Sequence, residues 1–177
     1  SWQKKGGWAN REVIYWFGEY AQKVCKHLGD RVKNWMVLNE PMAFTGLGYL
    51  LGMHAPGKRS ISKFKRSVHH AVLCQAHGAR MIRENVIDAK IGSTFSCSSI
   101  HPFRDNIKDE GAVKRVDALL NRLFLEPALG LGYPVDALPF LSRMRDIIKP
   151  EDENNMNANL DFIGLQNYTR EIVKHAW

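Results

Sequence analysis

Long apolar runs are missing from this chain, and so is any pattern of cysteines that could staple it. No window approaches about 18 consecutive apolar residues, which excludes a membrane-spanning helix within this sequence. The 3 cysteines, Cys25, Cys74 and Cys97, are odd in number and widely spaced. That spacing suits neither a disulfide framework nor a zinc site. Cys25 and Cys74 fall on apolar faces of predicted helices, so buried free thiols and a reducing, cytoplasmic compartment are expected. Metal ligands are scarce too. His70 and His77 share one helix face, but no further ligands accompany them. The glycine-rich Gly46–Gly57 stretch lacks the G-K-[ST] ending of a phosphate-cradling loop and reads as a strand-to-helix connection. Internal repeats, low-complexity tracts and linkers are absent, and nothing calls for a cofactor or a metal.

What is present is the composition of a soluble globular chain, 45% hydrophobic and 24% charged. The formal charge of +7 invites a nucleic-acid reading. The basic residues are scattered, however, and their densest cluster, Lys58–Arg66, is expected as a solvated loop and helix start. Neither a nucleic acid nor a membrane is expected as a partner. Strands are predicted near Asn34–Asn39, Ala89–Cys97 and Leu160–Asn167, alternating with helices. The first helix runs from an N-cap at Asn10 to about Leu28, with Val13, Ile14, Phe17, Ala21, Val24, Cys25 and Leu28 on one buried stripe and Gly29 as its stop. A second spans Ser62–Val86, with Val68, Val72, Gln75, Ala79 and Ile82 nearly in register. A third runs from Gly111 to Phe124, stopping before Pro127. Asn154–Asn159 is polar and turn-like.

The most informative stretch is Trp35–Met42, WMVLNEPM. Trp35 to Leu38 form a short apolar run that suits a strand covered on both faces. Asn39 and Glu40 break it, and Pro41, with no N–H to donate, ends the ladder. A carboxylate at the C-terminal end of a buried parallel strand is where α/β barrels put catalytic groups. An ordinary strand-end Glu paired with a loop cation is the alternative on this argument alone.

The segment Trp35, Asn39, Glu40, Pro41 resembles the acid/base signature of the retaining family 1 β-glycosidases, and the resemblance runs along nearly the whole chain. KKGGWANREVIYWF (Lys4–Phe17), FGEYAQKVCKHLGDRVKNW (Phe17–Trp35), GYLLGMHAPG (Gly48–Gly57), NRLFLEPALGLGYP (Asn121–Pro134) and DFIGLQNYTR (Asp161–Arg170) follow in the family's order. The resemblance implies part of a (β/α)8 TIM barrel, with the three strands corresponding to barrel strands four to six. A complete barrel needs about 250 residues. Residues 1–177 therefore read as a single incomplete barrel segment of a longer glycosidase domain.

The resemblance also implies the chemistry. Retaining glycosidases set two carboxyl groups about 5–5.5 Å apart, one as nucleophile and the other as acid and then base. Glu40 takes the acid/base role, and Asn39 is suited to bind the sugar 2-hydroxyl. Tyr168 aligns with the tyrosine that orients the nucleophile. Gln166 and Asn167 stand where relatives carry Asn and Tyr, as substrate-binding candidates. The nucleophile's T/S-E-N-G segment is absent. The nearest string, Glu84-Asn85-Val86, lacks the glycine and ends a predicted helix, so it is rejected. Met42 replaces a tryptophan common after N-E-P, which removes a stacking platform for the leaving group. His54 and His101 read as structural. The expected partner is a β-glycoside or oligosaccharide. The alternative is a non-catalytic half-barrel that binds sugar, self-associates or pairs with a complementary chain through the exposed edges of strands four and six.

Overall fold

The computed structural model describes residues 1–176, apart from the Arg145 side chain. Three parallel strands form the sheet: β1 (Asn34–Asn39), β2 (Lys90–Ser96) and β4 (Phe162–Gln166), in the order β1-β2-β4. Parallel neighbours need crossovers, and helices supply them. Helix α1 (Val13–Leu28) leads into β1, α2 (Ile61–Asn85) joins β1 to β2, and the helical run from α3 (Ile107–Asp117) to α4 (Leu123–Ala128) lies between β2 and β4. All three strands stand within two residues of their predicted bounds.

Helix α2 forms the centre of the core. Ser60 caps it by accepting the Lys63 N–H at 3.3 Å. Its predicted stripe, Val68, Val72, Gln75, Ala79 and Ile82, is buried throughout. Gly78 sits where α2 meets both α1 and β1. A Cβ there would come within 2.6 Å of Phe17 Cε1 and 2.8 Å of Val37 Cγ1. Alanine normally gains about 1 kcal/mol over glycine inside a helix. Here Gly78→Ala is expected to destabilise by about 1–2 kcal/mol, because overpacking outweighs that gain. Urea denaturation checks the sign.

Several expectations need correction. Gly29 does end α1, donating its N–H to the Cys25 carbonyl at 2.8 Å, but with φ −66° and not in the left-handed region. Glycine is required there because a Cβ would press within 2.8 Å of Val86 Cγ2. Asn10 accepts the Glu12 N–H at 3.0 Å and shapes the turn before the helix, which begins three residues later. The third helix starts at Ile107, capped by Asn106, and continues through a π-helical turn at Ala118–Arg122 to Ala128, with Pro127 inside its last turn. A proline stops a helix only where its missing N–H and its ring conflict with the preceding turn. Gly46–Gly57 is not all loop, since Ala43–Leu50 is π-helical. The polar stretch before β4 begins with a 3₁₀ turn at Pro150–Asn155. Two short strands were not foreseen: β3 (Ser99–Pro102) and β5 (Arg170–Val173) pair in parallel.

Strand β1 is not covered on both faces. Trp35 and Val37 turn toward the helices, whereas Met36 is 58% exposed. In β4, Ile163 and Leu165 share the face of Ser93 and Phe95 but are 42% and 67% exposed. The helices that bury β2 do not extend over β4.

Candidate active site

One extra residue in β1 builds the site. Between Met36 and Asn39 the strand advances three positions while β2 advances two, from Gly92 to Thr94. This bulge turns Asn39 onto the face it would otherwise miss, as bulges do where a side chain must be re-aimed. Asn39 Oδ1 there accepts the Thr94 hydroxyl at 2.9 Å.

Glu40 follows with φ 45°, a left-handed backbone that costs a non-glycine residue about 1–2 kcal/mol. Two backbone bonds hold it: its N–H donates to the Thr94 carbonyl at 3.1 Å, and its carbonyl accepts the Ala43 N–H at 2.8 Å. The ladder therefore continues one residue past β1 before Pro41 opens the next helical turn. Met42, half-buried, lies against Gly46, where a Cβ would meet its Cε at 2.7 Å.

Across β2, Tyr168 reaches back toward β1. The two outer strands lie about 10 Å apart, and only long side chains close that gap. The Tyr168 hydroxyl donates to Glu40 Oε1 at 3.2 Å, and Gln166 Nε2 approaches the same hydroxyl at 3.5 Å. The bond to Glu40, followed by its negative charge, raises the phenol above its ordinary value. Among the described residues Tyr168 thus contacts the acid/base candidate and no second carboxylate. Gln166 Oε1 is buried without a hydrogen-bond partner among the described residues. Asn167 turns away and donates to the Cys97 carbonyl at 3.0 Å. The structure brings Glu40, Asn39, Gln166 and Tyr168 together and leaves Asn167 as a tie between strand ends. Thr94 was missed, because its role depends on a bulge register that no local pattern announces.

Glu84 lies in the last turn of α2, just ahead of β2. In a βα unit that is the opposite end of the sheet from Glu40.

A second polar cluster also escaped the sequence reading. Asp152, 2% exposed, accepts hydrogen bonds from Arg11, from His69 Nε2 at 2.9 Å and from the Lys149 N–H at 2.8 Å. A carboxylate only accepts, so Nε2 carries the proton and Nδ1 accepts from the Tyr133 hydroxyl, 3.0 Å away. Burial pushes the Asp152 carboxyl up, but these three donors outweigh it and hold it down at about 2. Both His69 nitrogens are occupied, which leaves none for a substrate. The cluster ties the N-terminal segment to α2 and to the chain before β4. His70 Nδ1 donates to the Trp8 carbonyl (2.9 Å), and His77 packs against Gly18 of α1. Cys25 and Cys74 are buried free thiols, as expected, and Cys97 is partly buried. Among the described residues no group of His, Cys, Asp and Glu is poised to hold a metal, and no helix is long and apolar enough to cross a membrane.

Comparison with known proteins decides the family. The model of glycosyl hydrolase family 1 matches residues 1–177. The chain belongs to that family. Beta-glucosidase A of Thermotoga maritima is 38% identical over 173 residues, covering 97% of this chain and 39% of that protein. Beta-glucosidase 42 of Arabidopsis thaliana is 33% identical, covering 97% of this chain and 36% of that one. Among solved structures, a psychrophilic beta-glucosidase from Micrococcus antarcticus superimposes with a TM-score of 0.90 at 36% identity, over 95% of this chain and 36% of its own. The Thermotoga maritima enzyme in complex with glucoimidazole gives 0.89 at 38% identity, over 97% and 39%. This family 1 chain thus spans about two fifths of the relatives it matches, and it forms part of the α/β barrel that those enzymes share.

Proposed function

We propose that this chain carries the acid/base half of a retaining β-glucosidase site. Glu40 protonates the glycosidic oxygen as the C1–O bond breaks. A nucleophilic carboxylate outside these residues forms the ester to C1. Glu40, now a carboxylate, then takes a proton from the water that cleaves the ester. The observation that carries this reading is the seating of Glu40: left-handed at a strand's C-terminal end, with its carboxylate across β2 under the Tyr168 hydroxyl. Asn39 and the Gln166 amide N–H group are suited to sugar hydroxyls on the same face. Tyr168, expected to orient the nucleophile, bonds Glu40 here, and a phenol between two carboxylates could serve each in turn.

The test is intact mass before and after incubation with a 2-deoxy-2-fluoro-β-glucoside bearing a good leaving group. The fluorine slows ester hydrolysis, so a retaining enzyme of natural length gains the mass of one fluoroglucosyl group. No gain sinks the retaining assignment. A parent mass matching only these residues, with no gain, favours the second reading, a self-associating half-barrel. That reading draws on the exposed Met36, Ile163 and Leu165, which would be covered by a further chain.

A further inference from the structure

A cleft of about 790 Å³ lies between the N-terminal segment and the first turns of α2, and none of Glu40, Asn39, Thr94, Gln166 and Tyr168 lines it. Four cations border it without an ion-pair partner among the described residues: Lys4, Lys58, Lys63 and Arg66. Three more line it but are engaged elsewhere. Arg11 holds Asp152, Lys5 lies 5.4 Å from the centroid of the Trp16 ring, and Lys149 is 3.9 Å from Glu151. Among the residues lining the cleft, Asp146 is the single carboxylate.

Surfaces ordinarily intersperse charges of both signs, because unpaired like charges repel. Here the repulsion is compounded. Lys63 and Arg66 stand in the opening turns of α2, whose first turn holds no acidic residue. That end of a helix carries the positive end of the dipole and favours an anion. Ser62 adds a hydroxyl at the rim. An anion in the cleft would relieve all of these at once.

The ligand's shape follows from what else lines the walls. The volume falls in the range of small-molecule sites, about 300–1,000 Å³. No exposed aromatic ring lines the cleft: Tyr49 is 1% exposed and its hydroxyl accepts the Trp8 N–H. A nucleobase or a pyranose would find no stacking platform. Lysines supply most of the charge, as point donors suited to several phosphate oxygens rather than to one planar carboxylate. We propose that this cleft binds a compact polyphosphate, a di- or triphosphate group recognised by charge alone.

The probe is tripolyphosphate, titrated calorimetrically into the protein of full natural length at physiological salt. One saturable site is expected. Lys63→Gln with Arg66→Gln, both exposed, should weaken it about tenfold or more through the lost Coulomb attraction. Lys23→Gln with Lys26→Gln, exposed on α1, should leave it unchanged, and circular dichroism should show all variants folded. Adenosine triphosphate should bind about as tightly as tripolyphosphate, since nothing here reads a nucleoside. Absence of saturable binding, or equal weakening by both pairs of substitutions, overturns the proposal. So does much tighter binding of adenosine triphosphate, or of a single-stranded oligonucleotide, which would mark a nucleoside pocket or a nucleic-acid face.

Discussion

In the protein of full natural length, replacing Glu40 with glutamine is expected to lower kcat/KM for an unactivated alkyl β-glucoside by about 10²–10⁴-fold, the usual contribution of a positioned general acid. Glutamine keeps an oxygen where Tyr168 donates, at 3.2 Å in the parent chain, so the geometry should survive while the transferable proton is lost. The loss should depend on the leaving group. A dinitrophenolate departs without a proton, so formation of the glycosyl ester should change little with that substrate. Hydrolysis of the ester needs the same residue as base, so the intermediate should accumulate and KM should fall with kcat. Azide, which attacks without base assistance, should restore turnover of the activated substrate and give a β-glycosyl azide. An equal loss on both substrates, with no effect of azide, would remove Glu40 from the acid/base role.

The location of that carboxylate was legible in the sequence because four signals coincide within a few residues: an apolar run, two polar side chains, a proline and a family signature. Its geometry was not. The bulge that turns Asn39 toward Thr94 and the left-handed backbone at Glu40 arise from pairing with β2, more than fifty residues away. The same limit explains β3 and β5. Each has four residues, too short for alternation to show, and they exist because they pair with one another. Helix α2 was legible to within one residue at each end, since its buried stripe is local, although its cap, Ser60, was not singled out. The burial expected for β1 failed for a different reason. An apolar run identifies a surface that needs covering but cannot say that the cover lies in the same stretch of chain, and Met36 is 58% exposed.

The Asp152 cluster shows the converse, a strong interaction with no local signature at all. Its members, Arg11, His69, Tyr133 and Asp152, come from four separate segments. Asp152→Ala is expected to destabilise by about 1–3 kcal/mol, because the buried His69 Nε2–H loses its acceptor and the half-buried Arg11 guanidinium loses its partner. Glu151→Ala, which removes only an exposed contact with Lys149 at 3.9 Å, should stay within about 0.5 kcal/mol of the parent. Acid titration of stability separates this cluster from its neighbour. His70 is 4% exposed, and burial lowers it to about 4. As pH falls, the unfolded chain takes up that proton first, near 6.5, so stability declines between about 6.5 and 4. Asp152 is held at about 2, so its contribution is complete above the ordinary carboxylate value near 4 and is lost as pH falls through 2. Two successive declines are expected in the parent protein. Asp152→Ala should keep the upper one, which His70 shares with the buried His69 and His77, and make the lower one shallower, its remainder belonging to carboxylates such as Asp109 and Asp161 that are also held low. Unchanged behaviour below about pH 4 in that variant would show that the carboxylate is not held by Arg11 and His69 as described.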